Sequence, residues 1–276
     1  MRGIPGLRGV VVWVGSAKSQ GGEQAMAKIN EIQYPQKMAE ILNVPQDAVL
    51  RHLTEKPFLD PLRSRYFTDM GQLMGLLPPP DARILDLGTG TGWTSRFLYR
   101  CGYAVTALDI SPTMIELAKA TAETEFHFAQ PDGDRLSFNV CDYESPFNFG
   151  KFDAAIIYDA LHHAENEAAV IENVHTALKP GGIFITMEPG KGHSKEAHSI
   201  EAMQRFGVTE KDMEYDRQRV FMLSAGFSEV RQFARLSELA LFDIAKDAGK
   251  KQGGYLNSLL LHTIHHGSSS IVVAVK

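Results

Sequence analysis

Ile84-Leu85-Asp86-Leu87-Gly88-Thr89-Gly90-Thr91-Gly92 is the stretch on which the fold turns. It joins a short apolar run, Arg83 to Leu87, to a helical pattern from Thr94 to Tyr99. Glycines at such a junction let the backbone come close to a ligand, and the helix start that follows offers free N–H groups to an anion. The spacing excludes two common loops. A dinucleotide fingerprint needs Gly-x-Gly-x-x-Gly, and Trp93 stands where its third glycine would be. A P-loop needs Gly-Lys-Ser/Thr, and none follows.

Working outward, strand and helix signals alternate. Ala104 to Leu108, Leu136 to Val140, Ala154 to Tyr158 and Ile183 to Met187 read as strands. Ser111 caps a helix with Pro112 at its first position, and Met114 to Ala122 continue it. Glu165 to Leu178 reads as a helix with acids at its start and Lys179 at its end, stopped by Pro180-Gly181-Gly182. Thr209 to Ala225 reads as another, closed by Gly226, and Glu229 to Phe233 and Ile271 to Val275 as the last strands. The alternation predicts an α/β fold with a doubly wound, mostly parallel sheet. Residues 234–270 exceed a hairpin turn and read as an insertion, with a helix over Ser237 to Ala245.

Upstream, Tyr34 to Leu77 reads as mostly helical, broken by Pro45, Pro57 and Pro61. Pro78-Pro79-Pro80 can join neither helix nor sheet interior and marks a boundary. The expected organisation is a leader over 1–25, an N-terminal helical cap over 26–80, and a sheet domain over 81–276 that carries the insertion. In the leader, Val10 to Val14 is too short for a signal-peptide core, and Ser16 to Gln24 reads as a polar loop. The leader is read either as a disordered tail or as the product of an early start, with Met26 the true first residue.

The chain has 276 residues, 44% of them hydrophobic and 22% charged, which excludes disorder, collagen and coiled coil. No apolar run approaches the roughly 18–20 residues of a membrane span. Cys101 and Cys141 alone can build neither a disulfide framework nor a thiolate zinc site, and they suit a reducing cytoplasm. A formal charge of −5 argues against a nucleic-acid partner.

Two acids extend the glycine motif. Asp109 ends the second strand, 17 residues past Gly92 (109 − 92), where nucleotide-binding sheets place a carboxylate for the ribose hydroxyls. Asp142, followed by Tyr143, ends the third strand, where a carboxylate can accept an adenine amine. Ligands of open α/β sheets bind outside such strand ends.

Together these motifs resemble the class I S-adenosylmethionine-dependent methyltransferases, in particular the small-molecule type 11 and type 12 kinds. Leu85 to Gly92, Ala107-Leu108-Asp109-Ile110-Ser111, Val140-Cys141-Asp142, Phe152 to Tyr158 and Leu178-Lys179-Pro180-Gly181-Gly182 carry the resemblance. It implies a Rossmann-like seven-stranded sheet with the last strand antiparallel. It also implies S-adenosyl-L-methionine as cofactor and S-adenosyl-L-homocysteine as product. Gly88, Gly90 and Gly92, with Thr89, would line the methionine moiety, and Asp86 would hold the loop and the methionine amine. Asp109 and Ile110 would take the ribose. Cys141, Asp142 and Tyr143 would take the adenine, with Tyr158 nearby.

For chemistry, Tyr158-Asp159-Ala160-Leu161-His162-His163 follows the fourth strand. His162, then His163, could take a proton from an acceptor hydroxyl, or the pair could simply shape the loop. Amino-methylating nucleic-acid enzymes carry Asp/Asn-Pro-Pro-Tyr/Phe here, and this chain does not. The expected acceptor is a small molecule or a glycan. Substrate candidates are Arg65 and Tyr66 in the cap, which with Arg63 either close over the cofactor or form a solvated face. Glu188 and His193 follow the fifth strand, and a substrate loop would run on to Phe206. The stretch from Phe206 to Phe227 resembles methyltransferases of glycan assembly. His262, His265 and His266 lack a carboxylate or cysteine to complete a set, so no metal is assigned. Rival readings are a non-catalytic cofactor-binding regulator of the same fold and a nicotinamide-dependent oxidoreductase, which Trp93 disfavours. The oligomeric state is open.

Overall fold

The structure is a computed structural model describing residues 20–126, 135–238 and 269–276. Seven strands form one sheet: β1 (Arg83–Leu87), β2 (Ala104–Asp109), β3 (Leu136–Val140), β4 (Phe152–Tyr158), β5 (Leu178–Glu188), β6 (Glu229–Ala234) and β7 (Ser270–Val275). Their order is β3-β2-β1-β4-β5-β7-β6. β7 runs antiparallel to both neighbours, and the other pairs are parallel. This is the doubly wound, Rossmann-like arrangement expected, with the last strand reversed.

Both faces of the sheet are covered, so its central strands are mostly apolar. Ile84, Ala154, Ile156 and Ile185 join one buried cluster, while Leu85, Leu87, Ala155 and Ile157 join the other. The first face takes α4 (Arg63–Leu76), α5 (Trp93–Arg100) and α6 (Pro112–Glu125) through Met70, Leu73, Leu98, Ile115 and Ala118. The second takes α7 (Glu167–Ala177) and α9 (Tyr215–Ser224) through Val170, Ile171, Val174 and Met222. Ser111 caps α6 as expected, its hydroxyl accepting from the Met114 N–H.

Pro78 to Pro80 link α4 to β1 without separating two cores, since Met70 and Leu73 pack in the same cluster as Ile84. The remaining cap helices, α1 (Gln20–Ile32), α2 (Tyr34–Leu42) and α3 (Gln46–Thr54), lie over the C-terminal edge of the sheet. Ser111 Oγ donates to Ile32 O (3.2 Å) and Thr91 Oγ1 to Leu53 O (3.1 Å).

Four local expectations change. Helix α1 starts at Gln20, inside the stretch read as a polar loop. Helix α7 stops at Ala177, and β5 begins at Leu178, so Pro180 to Gly182 lie within the strand as an irregularity, with Pro180 and Gly181 exposed, rather than ending the helix. The segment before Phe206 is not a loop: a short turn over His193–Lys195 leads into α8 (Ala197–Phe206). Conversely, Thr209 to Glu214 is not helical, because its backbone is bonded elsewhere: Lys211 N donates to His162 O (3.2 Å) and Met213 N to Pro189 O (3.1 Å). The insertion lies mostly outside the described residues; what is described after Ala234 is a single turn over Leu236–Glu238. His262, His265 and His266 also lie outside them.

One buried ion pair ties the cap to the sheet. The Arg235 guanidinium, just past β6, is fully buried and pairs with Asp69 of α4 (2.7 Å) and with Asp159 after β4 (3.3 Å). Tyr158 donates its hydroxyl to the same Asp69 (2.7 Å). Removing one member of such a pair strands a buried charge. Arg235→Leu is therefore expected to lower the unfolding free energy by about 3–5 kcal/mol. Adding Asp69→Asn should recover part of the loss, as read by urea denaturation.

Candidate active site

The parallel register brings the C-terminal ends of β1 to β5 to one edge. Leu87 lies beside Leu108 and Ile157, Asp109 beside Val140, and Tyr158 beside Met187. The strand order reverses between β1 and β4, the point where open α/β sheets take ligands. A cavity of about 340 Å³ opens there.

The glycine loop forms its floor. Asp86 does not reach the cavity; it is buried, and its Oδ2 accepts the hydroxyls of Thr89 (3.0 Å), Thr94 (2.6 Å) and Ser95 (2.5 Å). Burial still lifts its carboxyl above the ordinary value. Gly88, Gly90 and Gly92 all take left-handed backbone, at φ of +67°, +55° and +73°. Their surroundings differ. A Cβ on Gly88 would sit 2.4 Å from Ala160 Cβ, and one on Gly92 would sit 2.5 Å from the Phe138 ring and 2.9 Å from Ala118 Cβ. A Cβ on Gly90 would meet nothing within 4 Å, and Gly90 lines the cavity. Two glycines thus serve packing, and the third leaves its backbone open to a ligand.

Asp109 lines the same wall. Its Oδ2 accepts the Gly90 N–H (2.8 Å) and its Oδ1 the Ser111 N–H (2.9 Å). A carboxylate has about four lone-pair sites, so two remain for a diol. Asp142 also lines the cavity, but Lys28 of α1 donates to its Oδ2 at 2.8 Å. Trp93 and Tyr158 supply aromatic wall, with Tyr66 packed behind Trp93 at 5.4 Å.

The far end of the cavity is a histidine cluster. His162 and His163 sit on a short turn (Leu161–His163), their rings 4.0 Å apart. His162 is buried and does not line the cavity; its Nδ1 donates to Glu188 Oε2 (2.7 Å). Glu188 is itself buried and accepts three backbone N–H groups, from Ala160, Leu161 and His162. His163 lines the cavity, and its Nδ1 donates to the Thr209 carbonyl (2.7 Å). His193 donates from Nε2 to Glu210 (2.7 Å). Burial would raise the Glu210 carboxyl, but that hydrogen bond and the nearby imidazoles outweigh it and hold it below the usual value.

Gly88, Thr89, Gly90, Asp109, Ile110, Asp142, Tyr143, Tyr158 and His163 are therefore gathered around the cavity. Gly92, Cys141, Arg65, Tyr66, Glu188, His193 and Phe206 lie outside its lining. Arg65 faces Asp159 (3.4 Å), and Phe206 packs edge-on against Tyr34 (5.1 Å). Lys28, Glu31, Tyr34 and Glu210 line the cavity without having been singled out. Only Glu210 had a signal: it lies in the Phe206-Gly207-Val208-Thr209-Glu210-Lys211 stretch.

Residues 85–186 match the family described as "Methyltransferase domain". The middle of the chain, residues 85–186, thus carries a methyltransferase domain. Among curated relatives, the domain is 31% identical over 132 residues to a "Ubiquinone biosynthesis O-methyltransferase" of Xanthomonas axonopodis pv. citri, covering 46% of this chain and 50% of the relative. It is 30% identical over 105 residues to a "Demethylmenaquinone methyltransferase" of Tropheryma whipplei, covering 38% and 41%. The chain thus spans about half the length of the curated relatives it matches. Two solved structures share the fold. One is an S-adenosylmethionine-dependent methyltransferase from Mesorhizobium loti (TM-score 0.55, 22% identity, covering 76% of this chain and 98% of that one). The other is the magnesium protoporphyrin IX methyltransferase of Synechocystis (TM-score 0.54, 17% identity, covering 95% and 100%).

The glycines of the methyltransferase domain can be separated by experiment. Gly92→Ala should sharply lower the melting temperature, since both the left-handed backbone and the Phe138 contact resist a Cβ. Gly90→Ala should cost only the left-handed strain, about 1–2 kcal/mol, while placing a methyl group in the cavity. Thermal unfolding of the two variants checks the difference.

Proposed function

We propose that this protein is an S-adenosylmethionine-dependent methyltransferase that acts on a hydroxyl-bearing small molecule, a class that includes sugar hydroxyls of glycans. The observation that carries the reading is the open Gly90 backbone beside the doubly braced Asp109, at the point where the strand order reverses. This pairing fits an amino-acid end on one side and a ribose diol on the other. The relatives named for ubiquinone and demethylmenaquinone methylation support a small-molecule acceptor.

When bound, the cofactor supplies an electrophilic methyl carbon on a sulfonium. The chain's own residues have four tasks. Gly88, Thr89 and Gly90 cradle the methionine end, and Asp86 holds that loop rigid through Thr89, Thr94 and Ser95. Asp109 and Ile110 orient the ribose. Asp142 with Tyr143 receives the adenine, and Lys28 occupies the same carboxylate, so the α1 helix and the adenine compete for or share it. The histidine end positions the acceptor in line with the methyl group, at a near-attack distance on the order of 3 Å. His163 rather than His162 stands at the reacting end, because His162 is bound from behind by Glu188. Arg65, Tyr66 and Glu188 act as supports for this wall.

A nucleic-acid acceptor is disfavoured by the net charge of −5 and by Asp159-Ala160-Leu161 where base-methylating enzymes place prolines. Among the described residues no helix is long and apolar enough to cross a membrane; we assign the protein to the cytoplasm on its cysteine usage.

Isothermal calorimetry with S-adenosylhomocysteine tests the cofactor site. Wild type should bind it, and Asp109→Ala should bind about 10- to 100-fold more weakly, the loss expected for hydrogen bonds to a charged group. Unchanged affinity in Asp109→Ala would refute the site. Tight binding with no turnover on phenols, quinols or sugars would favour the non-catalytic, regulatory alternative.

A further inference from the structure

We propose that His162, His163 and Glu210 form a binding site for a divalent transition-metal ion, zinc or iron(II), at the acceptor end of the cavity. The role given to the ion rests on the methyltransferase reading above; the existence of the site does not.

The first observation is proximity. One ligand atom from each of the three residues lies within 4.8 Å of the others. His162 Nε2 stands 3.6 Å from Glu210 Oε2. That is too long for a hydrogen bond. It is close to the roughly 3.4 Å that separates two ligands of one tetrahedral ion with metal–ligand bonds of about 2.0–2.1 Å.

The second observation is orientation. Metal-binding histidines characteristically donate their other ring N–H to a carboxylate or a carbonyl, which sets the tautomer and aims the free lone pair. Both histidines here do so, through independent partners. His162 Nδ1 is bound by Glu188 (2.7 Å), and His163 Nδ1 by the Thr209 carbonyl (2.7 Å). A carbonyl can only accept, so the His163 Nδ1 carries a proton, and in the neutral ring Nε2 carries the lone pair. Glu210 is steadied in turn by His193, which donates to Oε2 at 2.7 Å and leaves a second lone pair on that oxygen. The strap bearing Glu210 is fixed to the histidine turn by Lys211 N on His162 O.

The competing account is a His162 ring that bridges Glu188 and Glu210 with no ion present. It covers only half of the cluster. The second arm of the bridge is 3.6 Å long, and His163 Nε2, with no hydrogen bond among the described residues, is open to the cavity rather than buried. A metal ion would engage both rings and the carboxylate beside them.

Two imidazoles and one carboxylate suit zinc or iron(II), whereas magnesium and calcium favour all-oxygen sets. Three protein ligands leave a position open, as catalytic sites require. His163 and Glu210 both line the cavity, so that position faces the acceptor. A Lewis acid there lowers the pKa of an acceptor hydroxyl. The hydroxyl proton passes to solvent, and the oxygen's electron pair forms the new C–O bond. The C–S bond breaks, leaving its pair on sulfur.

The test uses the full untagged chain, stripped with chelator and titrated with cobalt(II), then zinc. Wild type should develop visible ligand-field absorption that saturates at one cobalt per chain and is displaced by zinc. Zinc should also raise the melting temperature. His163→Ala and Glu210→Gln should abolish the signal, and Glu188→Gln should weaken binding about 10- to 100-fold. His198→Ala, which disrupts the separate group of half-buried His193 with exposed Glu196 and His198, should leave it intact. If His163→Ala loses its circular-dichroism signature, His163→Asn replaces it. No cobalt spectrum in folded wild type, or a spectrum that survives in His163→Ala and Glu210→Gln, overturns the proposal. Loss of the spectrum in His198→Ala overturns it as well. S-adenosylhomocysteine calorimetry on the stripped protein separates the two readings: retained binding without a metal signal defeats only the metal site, and the converse defeats only the cofactor site.

Discussion

The Glu188 carboxylate, at the end of β5, has no solvent contact and accepts four donors: the N–H groups of Ala160, Leu161 and His162, and the His162 ring. A carboxylate removed from water is costly unless its lone pairs are filled in this way. The requirement works in both directions. Four donors hold the acid, and the acid holds the turn after β4 in one place. Ala160 is also the residue that leaves no room for a side chain on Gly88. The distance between the loops of β1 and β4, and so the shape of the cavity between them, follows from this one buried group.

A second set of ties completes the acceptor end. Asp212 accepts the N–H groups of Gly192 (2.9 Å) and Ser194 (2.7 Å), and Lys211 Nζ donates to the Ala164 carbonyl (2.6 Å). The segment from Thr209 to Met213 is thus laid across the loops after β4 and β5 as a strap. Its composition suits a helix, yet its backbone groups are already bonded to other loops. Local propensity is worth tenths of a kcal/mol per residue, and such tertiary bonds override it.

The N-terminal helices add a third wall. Lys28 reaches Asp142, Asn30 donates to the Gly207 carbonyl (2.7 Å), and Glu31 approaches His163 (3.4 Å). One helix therefore touches the Asp142 wall, the strap and the histidine turn. Any movement of α1 would be felt at both ends of the cavity, because the contacts are polar and directional rather than a sliding apolar face.

Amino-acid pattern alone determined the sheet, its parallel core and the placing of Asp109 and Asp142 at the cavity. Arg83 to Leu87 and Leu136 to Val140 match their strands residue for residue. Asp109 and Asp142 were legible because they stand at strand ends, and parallel strands bring their C-terminal ends to one edge. The distinction among the three glycines was not legible, since it depends on Ala160, Phe138 and Ala118 from other elements. Nor was the separation of His162 from His163, adjacent residues of one type whose difference lies in Glu188 and Thr209. Glu210 and His193 meet across 17 residues of chain (210 − 193) that include α8, and Glu210 sits on a strap whose pattern reads as a helix. Contacts between neighbours in sequence follow from backbone geometry and periodicity. Contacts between distant residues are chosen only when buried charges and backbone groups must all find partners at once, and the tertiary structure alone settles that competition.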